Sequence, residues 1–300
     1  SFPLLPSFPL PFSSILFFFL EDIPCSCITS PGVFPPQEPR FTKSDLNLLQ
    51  LIKAGKEGVF YQARMSRGTC NGHSMFTCKI SVRPKHVDME ICIMRKLIHH
   101  RNILQLLDWN TSEQPYILIM EYVSYGTLRT FLQTNRVHLL GNPELQSLLT
   151  IASYHIALAM QHLRSKMIVH CDLALRNIMV NKFPWEVKLA EFSLARDMTR
   201  MVSRRSSTLP YPNLETSEEV VFHICMGHKN TNPEGCRPEM LHIMRDCWQE
   251  PYTQRPSFKD LVCMLENIVE NDAVSRPISE CDVHVMQMTV PFFFCGTKPA

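Results

Sequence analysis

The sequence predicts an α+β protein of two lobes, a β-rich N-terminal lobe with one helix followed by a helical C-terminal lobe. Three observations carry this. Between residues 45 and 123, short apolar runs alternate with turn residues, and one stretch alone shows helical periodicity. After residue 124 the longest patterned stretch, residues 144–165, repeats apolar residues at helical spacing. Strands first, one helix inserted, then helices is the order of segregated layers and not of alternating βαβ units.

Residues 1–44 stand before the first lobe. Pro3, Pro6, Pro9 and Pro11 interrupt the apolar stretch "SFPLLPSFPLPFSSILFFFL", leaving Ile15–Leu20 as its dense core. A membrane span needs about 20 predominantly apolar residues, so a disordered extension and a membrane segment both stay open. Pro31, Pro35, Pro36 and Pro39 give residues 21–40 a linker composition. The first lobe, residues 45–123, opens with "DLNLLQLIKAG" and "GVFYQARM", two strands around a glycine-containing turn, and "MFTCKISVR" is a third. "VDMEICIMRKLIH" is helical, with Met89, Ile93 and Leu97 on one face, and "PYILIMEYV" is a buried strand. In the second lobe, residues 124–270, the long helix places Leu148, Ala152, Ile156, Ala159 and Leu163 on one face. Its two alanines let a neighbouring element approach closely. Residues 271–300 read as an irregular tail, and "VPFFFCGTKPA" is too short to span a bilayer.

The chain has 300 residues, 45% of them hydrophobic and 19% charged, with a net charge of +2. That balance implies neither a nucleic-acid footprint nor a solvating acidic tail. Twelve cysteines are scattered without a CxxC pair, which suits free thiols in a reducing compartment better than a disulfide scaffold or a zinc site.

Several polar residues stand where packing alone would not put them. Gly55 and Gly58 lie between two strands, where backbone amides can approach a phosphate because glycine has no side chain in the way. Lys79 sits in an apolar strand, and an unpaired ammonium there is costly. Glu90, eleven residues on, is a partner for it; a lysine at a strand edge with its amine in water is the plainer alternative. Asp172, Arg176 and Asn177 follow the long helix within "VHCDLALRNIMV". Asp172 can orient a hydroxyl or receive its proton, and Asn177 can hold a metal. Glu191, at the end of "VKLAEF", adds a second carboxylate.

Residues 45–270 resemble the catalytic domain of protein tyrosine kinases, most closely the receptor type of the fibroblast growth factor receptor group. "HCDLALRN" is similar to that family's HRDLAARN loop, and residues 217–269 are similar to the end of its helical lobe, with Trp248 and Arg255 in context. "PYILIMEYVSYGTLRTFL" resembles the gatekeeper-to-hinge passage, with Met120 as gatekeeper and Glu121–Val123 offering backbone hydrogen bonds to adenine. The resemblance implies a bilobal kinase-like fold and ATP-dependent phosphoryl transfer to protein tyrosine. It implies that Gly55 and Gly58 cover the phosphates and that Lys79, paired with Glu90, holds two of them. Asp172 is then the catalytic base, Arg176 the loop arginine, and Asn177 and Glu191 the ligands of Mg2+. Implied partners are a protein tyrosine substrate or a partner kinase, with membrane attachment and a cytoplasmic kinase domain, or a wholly cytoplasmic location.

The pattern also breaks. Lys53 replaces the first loop glycine, where it can reach phosphate, and Phe60 replaces the valine after the loop. Cys171 stands for the arginine before the catalytic aspartate, and tyrosines are scarce between 198 and 212. Glu191 stands for aspartate, and its extra methylene moves the carboxylate by about 1 Å, a misplacement that can cost roughly 100-fold in rate. Ser193 replaces a glycine, and no glycine occurs from 142 to 226. "RRSSTLPYPNLE" runs directly from one family motif to a much later one, so a core helix, the substrate platform and the glutamate partner of Arg255 are missing. Arg255 is expected to be unpaired or water-facing. Three outcomes follow: an impaired kinase, a pseudokinase that binds nucleotide or scaffolds a partner, and a non-functional truncated product.

Overall fold

The computed structural model describes residues 41–97, 99–135, 143–200 and 236–275. Five antiparallel strands form the first lobe: β1 (Leu46–Gly55), β2 (Gly58–Met65), β3 (Met75–Ser81), β4 (Leu106–Asn110) and β5 (Tyr116–Glu121), in the order β1-β2-β3-β5-β4. Helix α1 (Pro84–Lys96) enters between β3 and β4 in the chain. Pro84 starts it, where a missing N–H loses nothing. Val87 and Ile91 on its inner face meet Leu118 of β5.

The chain leaves β5 for α2 (Leu128–Thr134), whose first turn is capped by Thr127 Oγ1 accepting from the Thr130 amide at 3.2 Å. The long helix α3 (Pro143–Ser165) follows, then β6 (Ile168–Val169), β7 (Ile178–Lys182), β8 (Glu186–Leu189) and β9 (Arg196–Asp197). β7 pairs with β8 and β6 with β9 in two small antiparallel ladders. Leu148, Ala152, Ile156, Ala159 and Leu163 of α3 are all buried, as their spacing predicts. Helices α4 (Pro238–Cys247) and α5 (Phe258–Ser275) complete the described C-terminal lobe.

One apolar core joins the two lobes, running from Phe60 and Met120 in the sheet through α3 to Met244 in α4 and Leu265 in α5. The helices on either side of the shortened region thus close on a shared interior. Two expectations are corrected. Residues 271–275 are not irregular but form the last turn of α5, where Asp272 takes both terminal nitrogens of Arg237 at 2.6 and 2.7 Å. Arg255 is not left unpaired. It donates to the Gln249 carbonyl at 3.0 Å and to Glu250 at 2.7 Å, so a nearby glutamate serves it. Residues 1–40 and 276–300 lie outside the described residues.

Candidate active site

Three cross-strand neighbours build the roof. Lys53 lies opposite Phe60, and Phe60 opposite Lys79. Directly paired residues of antiparallel strands share a face, so all three side chains leave the sheet together. The two ammonium groups stand 5.2 Å from the Phe60 ring centroid, and Phe60 is fully buried. A register shift between Leu51 and Lys53 leaves Ile52 as the extra residue on β1. Such a bulge re-aims the side chain that follows it, and here that side chain is Lys53. Gly58 closes the turn at φ +146°, and a Cβ there would sit 2.8 Å from the Ile80 carbonyl oxygen. No other residue fits.

Below the roof, Lys79 is completely buried and donates to Glu90 Oε2 at 2.7 Å and to Glu191 Oε1. Burial would lower the Lys79 pKa, but Glu90 and Glu191 outweigh it and raise it above the ordinary lysine value. Glu90 also accepts from the Phe192 amide at 3.3 Å, fixing α1 against the segment after β8. Glu191 is backbone-strained, at φ +71°, and its Oε1 accepts from Ser193 Oγ at 3.1 Å. Its Oε2 accepts from Lys53 Nζ at 3.0 Å, and the same Nζ donates to Asn177 Oδ1 at 2.6 Å. Burial pushes the Glu191 carboxyl up, yet the two lysines pull it below the usual carboxylate range. Two ammonium groups and two carboxylates thus form one electrically neutral buried cluster.

The floor is the loop between β6 and β7. Asp172 Oδ2 accepts from Asn177 Nδ2 at 2.6 Å, and Oδ1 is paired with Arg176. His170 holds the loop from beneath, with Nδ1 accepting from the Asp172 amide at 3.2 Å and Nε2 donating to the Ala190 carbonyl at 3.1 Å. Those two bonds require the neutral ring. Complete burial favours the same state and lowers the His170 pKa to about 4.

At the far end of the roof, Met120 is buried opposite Thr77. The Val123 carbonyl accepts from Gln62 Nε2 at 3.3 Å, and the Glu121 amide donates to the Gln105 carbonyl at 3.0 Å. Thr77 is two residues before Lys79 and on the same face; its buried Oγ1 has no hydrogen-bond partner. An orphan hydroxyl beside Met120 is an open group for a base, and Lys79 supplies a cation for phosphate; to that extent these residues fit a nucleotide. They do not fit magnesium. The hard oxygens Asn177 Oδ1 and Glu191 Oε2 suit that ion by type, but the Lys53 ammonium stands between them.

The structure therefore brings Lys53, Gly58, Lys79, Glu90, Asp172, Arg176, Asn177 and Glu191 into one region. Met120, Glu121 and Val123 fall along its far edge, and Gly55 pairs with Gly58 at the turn. Lys53 reaches the two metal-type oxygens, where the sequence suggested a phosphate. His170 and Thr77 escaped sequence reasoning, although a histidine two residues before Asp172 is a usable signal. Residues 201–212, most of the stretch with few tyrosines, lie outside the described residues.

Comparison with known proteins follows the same lines. The model of the family described as protein tyrosine and serine/threonine kinase matches residues 46–209 and 204–265. The match comes in two pieces that meet at the shortened "RRSSTLPYP" region. Tyrosine-protein kinase Abl of Drosophila melanogaster is 28% identical over 297 residues, covering 83% of this chain and 18% of that protein. Fibroblast growth factor receptor 1 of Pleurodeles waltl is 28% identical over 296 residues, covering 78% of this chain and 36% of the receptor. Tyrosine kinase receptor Cad96Ca of Drosophila melanogaster is 26% identical over 291 residues, covering 78% and 37%. The chain thus spans well under half the length of these relatives. With the two-lobed fold, the buried Lys79–Glu90 pair and a family match over most of its length, the chain belongs to the protein tyrosine and serine/threonine kinase family.

Proposed function

We propose that this chain carries an ATP-binding domain of the protein-tyrosine-kinase type that transfers the γ-phosphoryl group to protein tyrosine at a strongly reduced rate. The observation that supports this most is the buried Lys79–Glu90 pair at 2.7 Å, assembled above a loop that presents Asp172. Lys79 faces the phosphates, and the turn at Gly55 and Gly58 covers them. The backbone of Glu121 and Val123 meets adenine beside Met120. Asp172 orients the tyrosine hydroxyl and takes its proton as the new P–O bond forms and ADP leaves. Arg176 holds Asp172 in place. The choice of tyrosine rests on the "HCDLALRN" loop and on the tyrosine kinases among the relatives. Asn177 and Glu191, the residues that would hold magnesium, are engaged by the Lys53 ammonium.

A second function, a pseudokinase that binds nucleotide and engages a partner kinase, is favoured by Lys53, whose contacts tie up Asn177 and Glu191. The receptors among the relatives support a cytoplasmic domain on a membrane-attached protein. Among the described residues no helix is long and apolar enough to cross a membrane. The test is thermal unfolding of the full chain with and without ATP, joined to a transfer assay on a tyrosine peptide. Stabilisation by ATP with transfer abolished by Asp172→Asn is the expected result. Stabilisation without transfer identifies the pseudokinase. The absence of a cooperative transition identifies a truncated product without function.

A further inference from the structure

Lys53 is the one cationic side chain of the site that the family pattern does not supply. Its ammonium touches the two oxygens that the pattern reserves for a metal, Asn177 Oδ1 at 2.6 Å and Glu191 Oε2 at 3.0 Å. Its side chain is 13% exposed, its ammonium stands 5.2 Å from the Phe60 ring centroid, and the bulge at Ile52 aims it inward. Each feature belongs to a built contact. A chance surface pairing would need no bulge, no aromatic support and no burial.

We propose that Lys53 is this chain's own cation for the phosphate site: its ammonium replaces a divalent metal between Asn177 and Glu191, and nucleoside di- or triphosphate binds without one. The geometry sets metal and ammonium in competition. A magnesium ion needs both oxygens at about 2.0–2.1 Å, and Lys53 Nζ already donates to each of them. Charge argues the same way. Lys53 and Lys79 already neutralise Glu90 and Glu191, so a divalent ion would leave the buried cluster with an uncompensated surplus. Glu191 suits two lysines, since its two oxygens reach one each. The second-function reading above depends on the same contacts, and nucleotide binding rests on the proposed ATP site.

Manganese uptake by the full chain, followed by the electron paramagnetic resonance of the free ion, tests Lys53 without any nucleotide. Wild type is expected to match Glu191→Gln, because neither offers a free site. Lys53→Met keeps an unbranched apolar side chain at this position and removes the charge. It is expected to take up one manganese ion per chain, lost again in the Lys53→Met, Glu191→Gln double variant. Lys53→Arg, which retains the cation, is expected to behave as wild type. Manganese bound by wild type and released by Glu191→Gln overturns the proposal, as does a Lys53→Met variant that gains no ion. A second arm uses ADP. The wild-type unfolding temperature is expected to rise equally in chelator and in manganese, while Lys53→Met needs the metal for its full rise. A wild-type rise seen in manganese alone overturns metal-free binding. No ADP effect in any variant sinks the proposed ATP site, and the manganese comparison then decides Lys53 by itself.

Discussion

Each imidazole nitrogen of His170 has one assigned partner, a donor amide at Nδ1 and an acceptor carbonyl at Nε2. Protonating Nδ1 would set a proton against the Asp172 amide hydrogen. The folded-state pKa of about 4 lies below the ordinary 6.5, so the unfolded chain binds the extra proton first as pH falls. Stability is therefore expected to be complete above about 6.5 and to decline toward pH 4. Urea midpoints measured across that window check this, and a flat profile would contradict it. Lys79 presents the opposite case, a charge that is buried and must stay charged. Lys79→Met leaves Glu90 buried without its cation, and breaking such a pair costs about 3–5 kcal/mol. Urea unfolding of this variant should show a loss of that size; a loss under ~1 kcal/mol would mean that Glu90 protonates at little expense. Of the two residues, only Lys79 was reached by sequence reasoning. Lys79 announces itself as a lysine in an apolar strand. His170 reads as an ordinary loop histidine until its two partners are seen.

At the scale of the element, helix α3 shows what periodicity can deliver. Its five core positions follow from spacing alone, and all are buried in the core, where α3 meets α5 and β8. Leu148→Ala is expected to cost about 2–5 kcal/mol, the range for a truncated core leucine. Ala152→Leu should lose about 1–3 kcal/mol by overpacking the close approach that the alanine permits. Denaturant unfolding of the two variants distinguishes a tight interface, where both lose, from a loose one, where Ala152→Leu is neutral. Strands β4 and β7 were not legible. "LLDWN" and "IMVNK" are short and lack clean alternation, and their pairing is set by β5 and β8 from outside the segment. The bulge in β1 was equally hidden. Counting alternate residues along "LNLLQLIKAG" cannot show that Ile52 is skipped, and the direction of Lys53 depends on that one residue.

Across the whole molecule, the lobe boundary was readable because the order of elements changes there, and the shortening was readable because two distant motifs abut. What tied the lobes together was not readable. Lys53 and Lys79 come from the sheet, whereas Asn177 and Glu191 come from the far side of the chain, 124 and 138 residues beyond Lys53. Sequence separation of that size leaves no local trace. A double-mutant cycle between Lys53→Met and Glu191→Gln measures the bridge directly. The two losses are expected to be non-additive by about 0.5–3 kcal/mol, as for residues in direct contact. Additivity within ~0.5 kcal/mol would show that the Lys53–Glu191 contact adds nothing to the other links between the lobes.

The Lys53 bridge also bears on how this sequence could change. Lys53→Gly alone would free both oxygens for a metal, but it would leave Glu191 with one lysine partner instead of two. Glu191→Asp alone would shorten the carboxylate while Lys53 still filled the gap, and one lysine would lose its partner. Either single step toward the family pattern therefore gives up an existing contact, and only the change at Lys53 opens a place for a metal. The two positions are therefore ordered: Lys53 has to go before a shorter carboxylate at position 191 can serve a metal.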